Sequence, residues 1–138
     1  MTVTSTQDLL ERYAAGVRDF RDADLHGDDL WGSELQGAQL EGADLGEADL
    51  RRADLAHASL RGADLSHALL TGANLRGADL RDANLSGATL YGVDLTHARL
   101  EGADLEGALL YDPELGRRRR VEQGVEQVQR LEEAQTTR

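Results

Sequence analysis

The chain has 138 residues, a net charge of −11, 40 % hydrophobic and 4 % aromatic residues, and no Cys. That length bounds it to one domain with a modest tail, and the missing Cys excludes a disulfide framework and thiol chemistry. The acidic balance disfavours nucleic acid and anionic membrane as direct partners and leaves a basic protein surface as the compatible one. Residues 1–116 hold 22 acidic side chains against nine Arg, whereas residues 117–138 hold four against six. All 15 basic residues are Arg, which points to a GC-rich bacterial genome. The opening Met1-Thr2-Val3-Thr4-Ser5 has no basic and apolar leader pattern, and no apolar run approaches membrane-spanning length, so the cytoplasm is the expected compartment.

Residues 1–15 read as a capping helix. Ser5 or Thr6 serves as N-cap, Asp8 lies in the first turn and Gly16 suits the stop. Leu9, Leu10 and Tyr13 are expected to cover the start of whatever follows.

Residues 16–115 repeat every five residues. Phe20 is followed by Leu at positions 25, 30 and onward in fives to 115, nineteen Leu in all. Fifteen of the twenty residues standing two before these centres are Ala; the others are Arg18, Asp28, Ser33, Val93 and Pro113. Asp or Asn commonly precedes the Leu, as at Asp24, Asp44, Asp64, Asn74 and Asn84. A period of five fits neither helix nor simple strand. Ala and Leu, two apart, point to one side of a short extended segment. The chain then turns a corner, which Gly eases at positions such as Gly62, Gly72 and Gly77. Four corners close a square coil of twenty residues. Asp28 falls at an inward position, where its carboxylate is expected to meet backbone donors near the cap.

The run of Ala63-Asp64-Leu65, Ala73-Asn74-Leu75 and Ala83-Asn84-Leu85 resembles the pentapeptide-repeat family over residues 16–115. The resemblance implies an all-β solenoid, a right-handed quadrilateral β-helix of about five coils, each ~4.8 Å from the next. It also implies a protein-binding role. Some members mimic DNA and bind type II topoisomerases such as gyrase, and dimerise through a C-terminal helix. Apart from any resemblance, such a rod exposes apolar core and unpaired backbone at its ends, and both ends need caps.

Residues twenty apart stack on one face. One face carries Asp24, Asp44, Asp64, Asn84 and Asp104, and the opposite face Glu34, Asp54, Asn74, Asp94 and Glu114. Stacked like charges repel. Two readings follow: a solvated surface that resists edge association, or a mimic of a nucleic-acid backbone. A third face gathers Trp31, Leu69, Tyr91, Leu109 and Tyr111, residue types that serve as interface anchors. It offers a scaffold or adaptor reading without DNA mimicry.

Residues 116–138 read as a helical tail. Val121, Val125, Val128 and Leu131 recur at spacings of four, three and three, as in an amphipathic helix that caps the rod or forms a homodimer. Gly124 weakens it, and Arg117–Arg120 would stand at its N-terminus, where the dipole disfavours cations. No catalytic residue, metal site or cofactor is expected. His57 and His97 share a face but lie two coils apart, ~10 Å, too far for one metal ion. HExxH, CxxC and GxSxG are all missing. A straight convex rod gives its many carboxylates no dry pocket to shift their pKa values, so the chain is expected not to be an enzyme.

Overall fold

The computed structural model of the protein describes residues 3–112 and 117–121. From Asp19 onward the chain coils with a period of twenty. Parallel bridges join Asp19 to Gln39, Asp24 to Asp44, Asp29 to Asp49 and Glu34 to Asp54, and each ladder continues in the same step, the last bridge joining Thr89 to Leu109. Four ladders make four sides, named here by their first core residue: the Phe20, Leu25, Leu30 and Leu35 faces. Every described centre from Phe20 to Leu110 is buried, and nearly every Ala two residues before a centre is buried with it.

One unit shows how five residues close the backbone account. Ala63 N–H donates to the Leu60 carbonyl across the corner (3.0 Å), Asp64 N–H to Ala43 in the preceding coil (2.9 Å), and Leu65 N–H to Asn84 in the next (2.7 Å). His67 N–H donates to Ser86 of the next coil (2.9 Å). The remaining donor, Ser66 N–H, meets the Asp64 side chain at 2.9 Å. All five donors are satisfied, as buried or half-buried backbone requires. The same side-chain bond recurs at Asp29, Asp44, Asp49, Asp54, Asn74, Asp79, Asn84, Asp94 and Asp104. Asp and Asn therefore precede Leu for a structural reason: each forms an Asx turn that holds the corner.

From Asp22 to Gly107, every second corner residue has positive φ. This is the type II pattern, with the corner bond from the residue after the turn back to the residue before it. Seven of these residues are not Gly, His57, His67 and His97 among them, a residue type that tolerates the left-handed region better than most. Where a bulky residue takes the corner, Gly often stands in the next coil. A Cβ at Gly87 would collide with the imidazole of His67, and Gly87 itself has φ +68. Gly87→Ala is expected to cost about 1–2 kcal/mol through the left-handed backbone alone. Urea unfolding will show it as a lower midpoint with an unchanged slope.

The N-terminal end is closed by α1, Thr6–Ala14. Ser5 is its N-cap and accepts from Asp8 N–H. Gly16, at φ +96, turns the chain into the first coil. Leu9 is fully buried, and Tyr13 stacks on Phe20 at 6.5 Å while its hydroxyl donates to the Gln36 carbonyl at 2.7 Å. Leu10, expected to help cover the coil, is instead 36 % exposed, because one helical face cannot present both Leu9 and Leu10 to the rod. Val3 covers the coil with Leu9: it is buried, and its carbonyl accepts from Asp24 N–H at 2.9 Å, in the register that Ala23 has with Asp44. Asp28 is half-buried rather than enclosed, so water reaches it at the edge of the first coil.

The other end overturns the expectation of a helix at 117–120. Arg117–Arg120 is a strand, β2, paired antiparallel with β1, Leu109–Asp112. The last coil presents donors and acceptors that no further coil can meet, and a chain reversal meets them. The dipole penalty on four Arg at a helix N-terminus works in the same direction. Val121 follows, 2 % exposed. Its N–H donates to Ala108 (2.7 Å), and its carbonyl accepts from Gly107 (2.8 Å). Val121 thus caps the core from an extended segment. Val125, Val128 and Leu131 lie outside the described residues.

Candidate functional site

The Leu25 face brings together Asp24, Asp44, Asp64, Asn84 and Asp104 as one continuous ladder. Asp24 and Asp104 are exposed, and Asp44 and Asp64 half-buried. The carboxylates of Asp44, Asp64 and Asp104 each spend one oxygen on an Asx turn. The Ser66 hydroxyl and backbone hold Asp64 below the usual carboxylate range. The corner after this face contributes His26, Glu47, His67 and Glu106, and no Arg. His26 Nδ1 lies 3.1 Å from Asp44 Oδ1, and its Nε2 lies 3.4 Å from Glu47 Oε2.

The Leu35 face aligns Glu34, Asp54, Asn74 and Asp94, with Arg76 at its corner. Asp54 accepts from Ala56 N–H and from Gln36 Nε2, the same Gln whose carbonyl receives the Tyr13 hydroxyl. Thr96, by its hydroxyl and N–H, holds Asp94 below the ordinary carboxylate value. Glu114 lies outside the described residues.

The Phe20 face is charge-paired. Asp19 and Arg21 form a fork with contacts of 2.9 and 2.8 Å, and Asp79 and Arg81 repeat it at 2.9 and 2.6 Å. The guanidinium hydrogen bonds lower both carboxyls to about 2. Arg21 and Arg81, at the corner between the Phe20 and Leu25 faces, therefore turn their charge toward the Phe20 face.

On the Leu30 face Leu69, Tyr91, Leu109 and Tyr111 fall in the third to fifth coils and Trp31 in the first. Trp31 and Tyr111 are 56 % and 52 % exposed, Leu69 is exposed, and Tyr91 and Leu109 are half-buried. Asp49 and Arg51, forked at 2.9 and 2.7 Å, occupy the coil between Trp31 and Leu69. A polar pair thus interrupts the patch, and Trp31 stands alone at the N-terminal end.

Sequence reasoning did not join His26, His67, Glu47 and Glu106 to the acidic ladder because it followed only the residue before each Leu, whereas these stand one or two residues after it. Adding twenty to a residue number would have found them: 26 stacks beneath 46, and 47 beneath 67. Among the described residues, no group of three or more His, Cys, Asp or Glu is placed to hold a metal ion. No helix among them is long and apolar enough to cross a membrane.

The chain matches the family model for pentapeptide repeats at residues 19–55, 33–72 and 73–112, with eight copies. Among solved structures it resembles the pentapeptide repeat protein Rfr23 of the cyanobacterium Cyanothece 51142, at 44 % identity and a TM-score of 0.62. That match covers 62 % of this chain, which spans 58 % of the length of the Rfr23 chain. It also resembles a pentapeptide repeat protein of Nostoc Pcc 7120, at 39 % identity and a TM-score of 0.50, covering 78 % of this chain and 81 % of that one. Among curated proteins none matches. Structures of this kind are right-handed β-helices. With its ladders twenty residues apart and its repeats matched across most of its length, the chain belongs to the pentapeptide-repeat family.

Proposed function

We propose that the chain is a non-catalytic protein-binding module whose Leu25 face docks on a basic protein surface, of the kind a type II topoisomerase such as gyrase offers to DNA. One observation carries this reading. The carboxylates of Asp24, Asp44, Asp64 and Asp104 rise in a single column whose following corner holds Glu47 and Glu106 and no Arg, while at the preceding corner Arg21 and Arg81 are already forked to Asp19 and Asp79 on the Phe20 face. Interspersed opposite charges would relieve the stacking repulsion within the column, and the corner after it supplies none that is permanent. Column spacing of ~4.8 Å approaches the 3.4 Å rise of phosphates along one DNA strand closely enough for long Arg and Lys side chains to bridge the difference.

The reading is tested by binding of the full chain to purified DNA gyrase, with supercoiling inhibition measured alongside. Binding is expected to weaken by about tenfold or more between roughly 50 and 200 mM salt, as screening removes a contact made of exposed charges. Binding that ignores salt and disappears in a Trp31→Ala, Tyr91→Ala variant would move the function to the Leu30 face.

A further inference from the structure

All four histidines stand beside the two acidic ladders. His26 and His67 occupy the corner after the Leu25 face, and His57 and His97 the corner after the Leu35 face. The other two corners hold Arg21, Arg61, Arg81, Arg51 and Arg52 and no His. Counter-charge is thus divided by type. The corners after the Phe20 and Leu30 faces have guanidinium, which stays charged at every physiological pH, and the corner after the Leu25 face has imidazole, which does not.

The geometry at that corner ties the imidazoles to the ladder. His26 reaches from the first coil to the second, 3.1 Å from Asp44 and 3.4 Å from Glu47, and remains half exposed to solvent. Glu47 lies in the corner column directly before His67. The other charged groups on this side are Asp24, Asp104 and Glu106 on the ladder and the corner after it, and Arg21, Asp22, Glu41, Arg61, Arg81, Asp82 and Glu101 at the corner before it, where Arg21 and Arg81 are forked to Asp19 and Asp79 and Arg61 lies 3.8 Å from Asp82.

We propose that His26 forms a proton gate on the Leu25 face: as a neutral imidazole it leaves Asp44 and Glu47 to a cationic partner, and when protonated it occupies them itself. The gate rests on the reading that this face docks a basic surface. A docked cation favours neutral imidazole, so docking expels protons and affinity rises with pH. The hydrogen bond to Asp44 raises the His26 pKa, so it discharges at a higher pH than a free imidazole. The effect on folding has the opposite sign. A raised folded-state pKa gives a clamp between the first two coils that is fully present at low pH and lost as pH rises through that value.

The test uses the full chain and a labelled deca-arginine peptide as cationic probe, whose own charge is constant. Affinity is read by fluorescence anisotropy at about pH 5.5 and 7.5 and constant ionic strength, a window in which His titrates and unperturbed carboxylates do not. The wild-type chain is expected to bind roughly three- to tenfold more tightly at the higher pH. A His26→Asn variant should lose most of that difference and bind at both pH values with the wild-type high-pH affinity. A flat wild-type response, an unchanged pH slope in the variant, or no binding of the probe at either pH overturns the gate. Repeating the measurement with gyrase separates the two ideas. Gyrase that fails to bind while the probe shows the slope sinks the topoisomerase reading and leaves the gate. Gyrase that binds equally at both pH values sinks the gate and leaves the reading.

Discussion

Leu65→Ala is expected to destabilise the protein by about 3–5 kcal/mol, near the top of the range for buried Leu truncations. Leu65 is fully buried in the middle of the rod, stacked between Leu45 and Leu85 and flanked by Ala63. The cost of such a truncation depends on how far the surroundings can collapse into the cavity. Here they cannot. Asp64 N–H is tied to Ala43, Leu65 N–H to Asn84 and Ala63 N–H to Leu60, so every neighbouring backbone is pinned to a coil above or below. The neighbouring Ala side chains are too short to reach in. Because each coil touches only the coils beside it, the lost contacts fall on both interfaces of the central coil. Urea unfolding should therefore show a lower midpoint and, where the two halves begin to part, a shallower slope. Leu10→Ala is the matching control. With Leu10 36 % exposed on α1, its truncation should stay within about 0.5 kcal/mol.

The rod could be read in the sequence because one physical rule repeats. A Leu every five residues and an Ala two before it are what a square coil can enclose, and the positions from Phe20 to Leu110 are buried accordingly. What escaped the reading depends on events that do not repeat. At Arg117–Arg120 helical amphipathicity was read across a segment that the unpaired edge of Leu109–Asp112 claims as a strand. Val3 was given no role of its own within the capping segment 1–15, yet the first coil needs a layer beneath it and Val3 supplies one. Trp31 was grouped with Leu69 and Tyr91 by column, but Arg51 shares that column and brings Asp49 with it. The Asp ladders were legible as charge and not as architecture. Their bond to the N–H two residues on is a local Asx turn, visible in any Asp-Leu-x triplet once the corner donor is counted.

That double role makes the acidic column testable without damage to the rod. In an Asp44→Asn, Asp64→Asn, Asp104→Asn variant, binding to a basic partner should fall by about tenfold or more, with the salt dependence flattened in proportion. Stability should hold or rise. Asn74 and Asn84 already occupy equivalent positions, and their Oδ1 atoms accept from Arg76 N–H and Ser86 N–H at 3.0 Å each, the bond that Asp64 makes at 2.9 Å. Asn therefore keeps the acceptor and removes only the charge, which relieves the repulsion between stacked carboxylates. Asp64→Ala removes both and leaves the half-buried Ser66 N–H without its partner, at a cost of about 1 kcal/mol or somewhat more. The pair of substitutions separates the two jobs of one residue. An Asn variant that melts with the wild type but no longer binds assigns the charge to recognition and the oxygen to the fold. Full binding by the triple Asn variant would show that the carboxylates serve the corner alone, and would leave Trp31, Tyr91 and Tyr111 as the surface to examine.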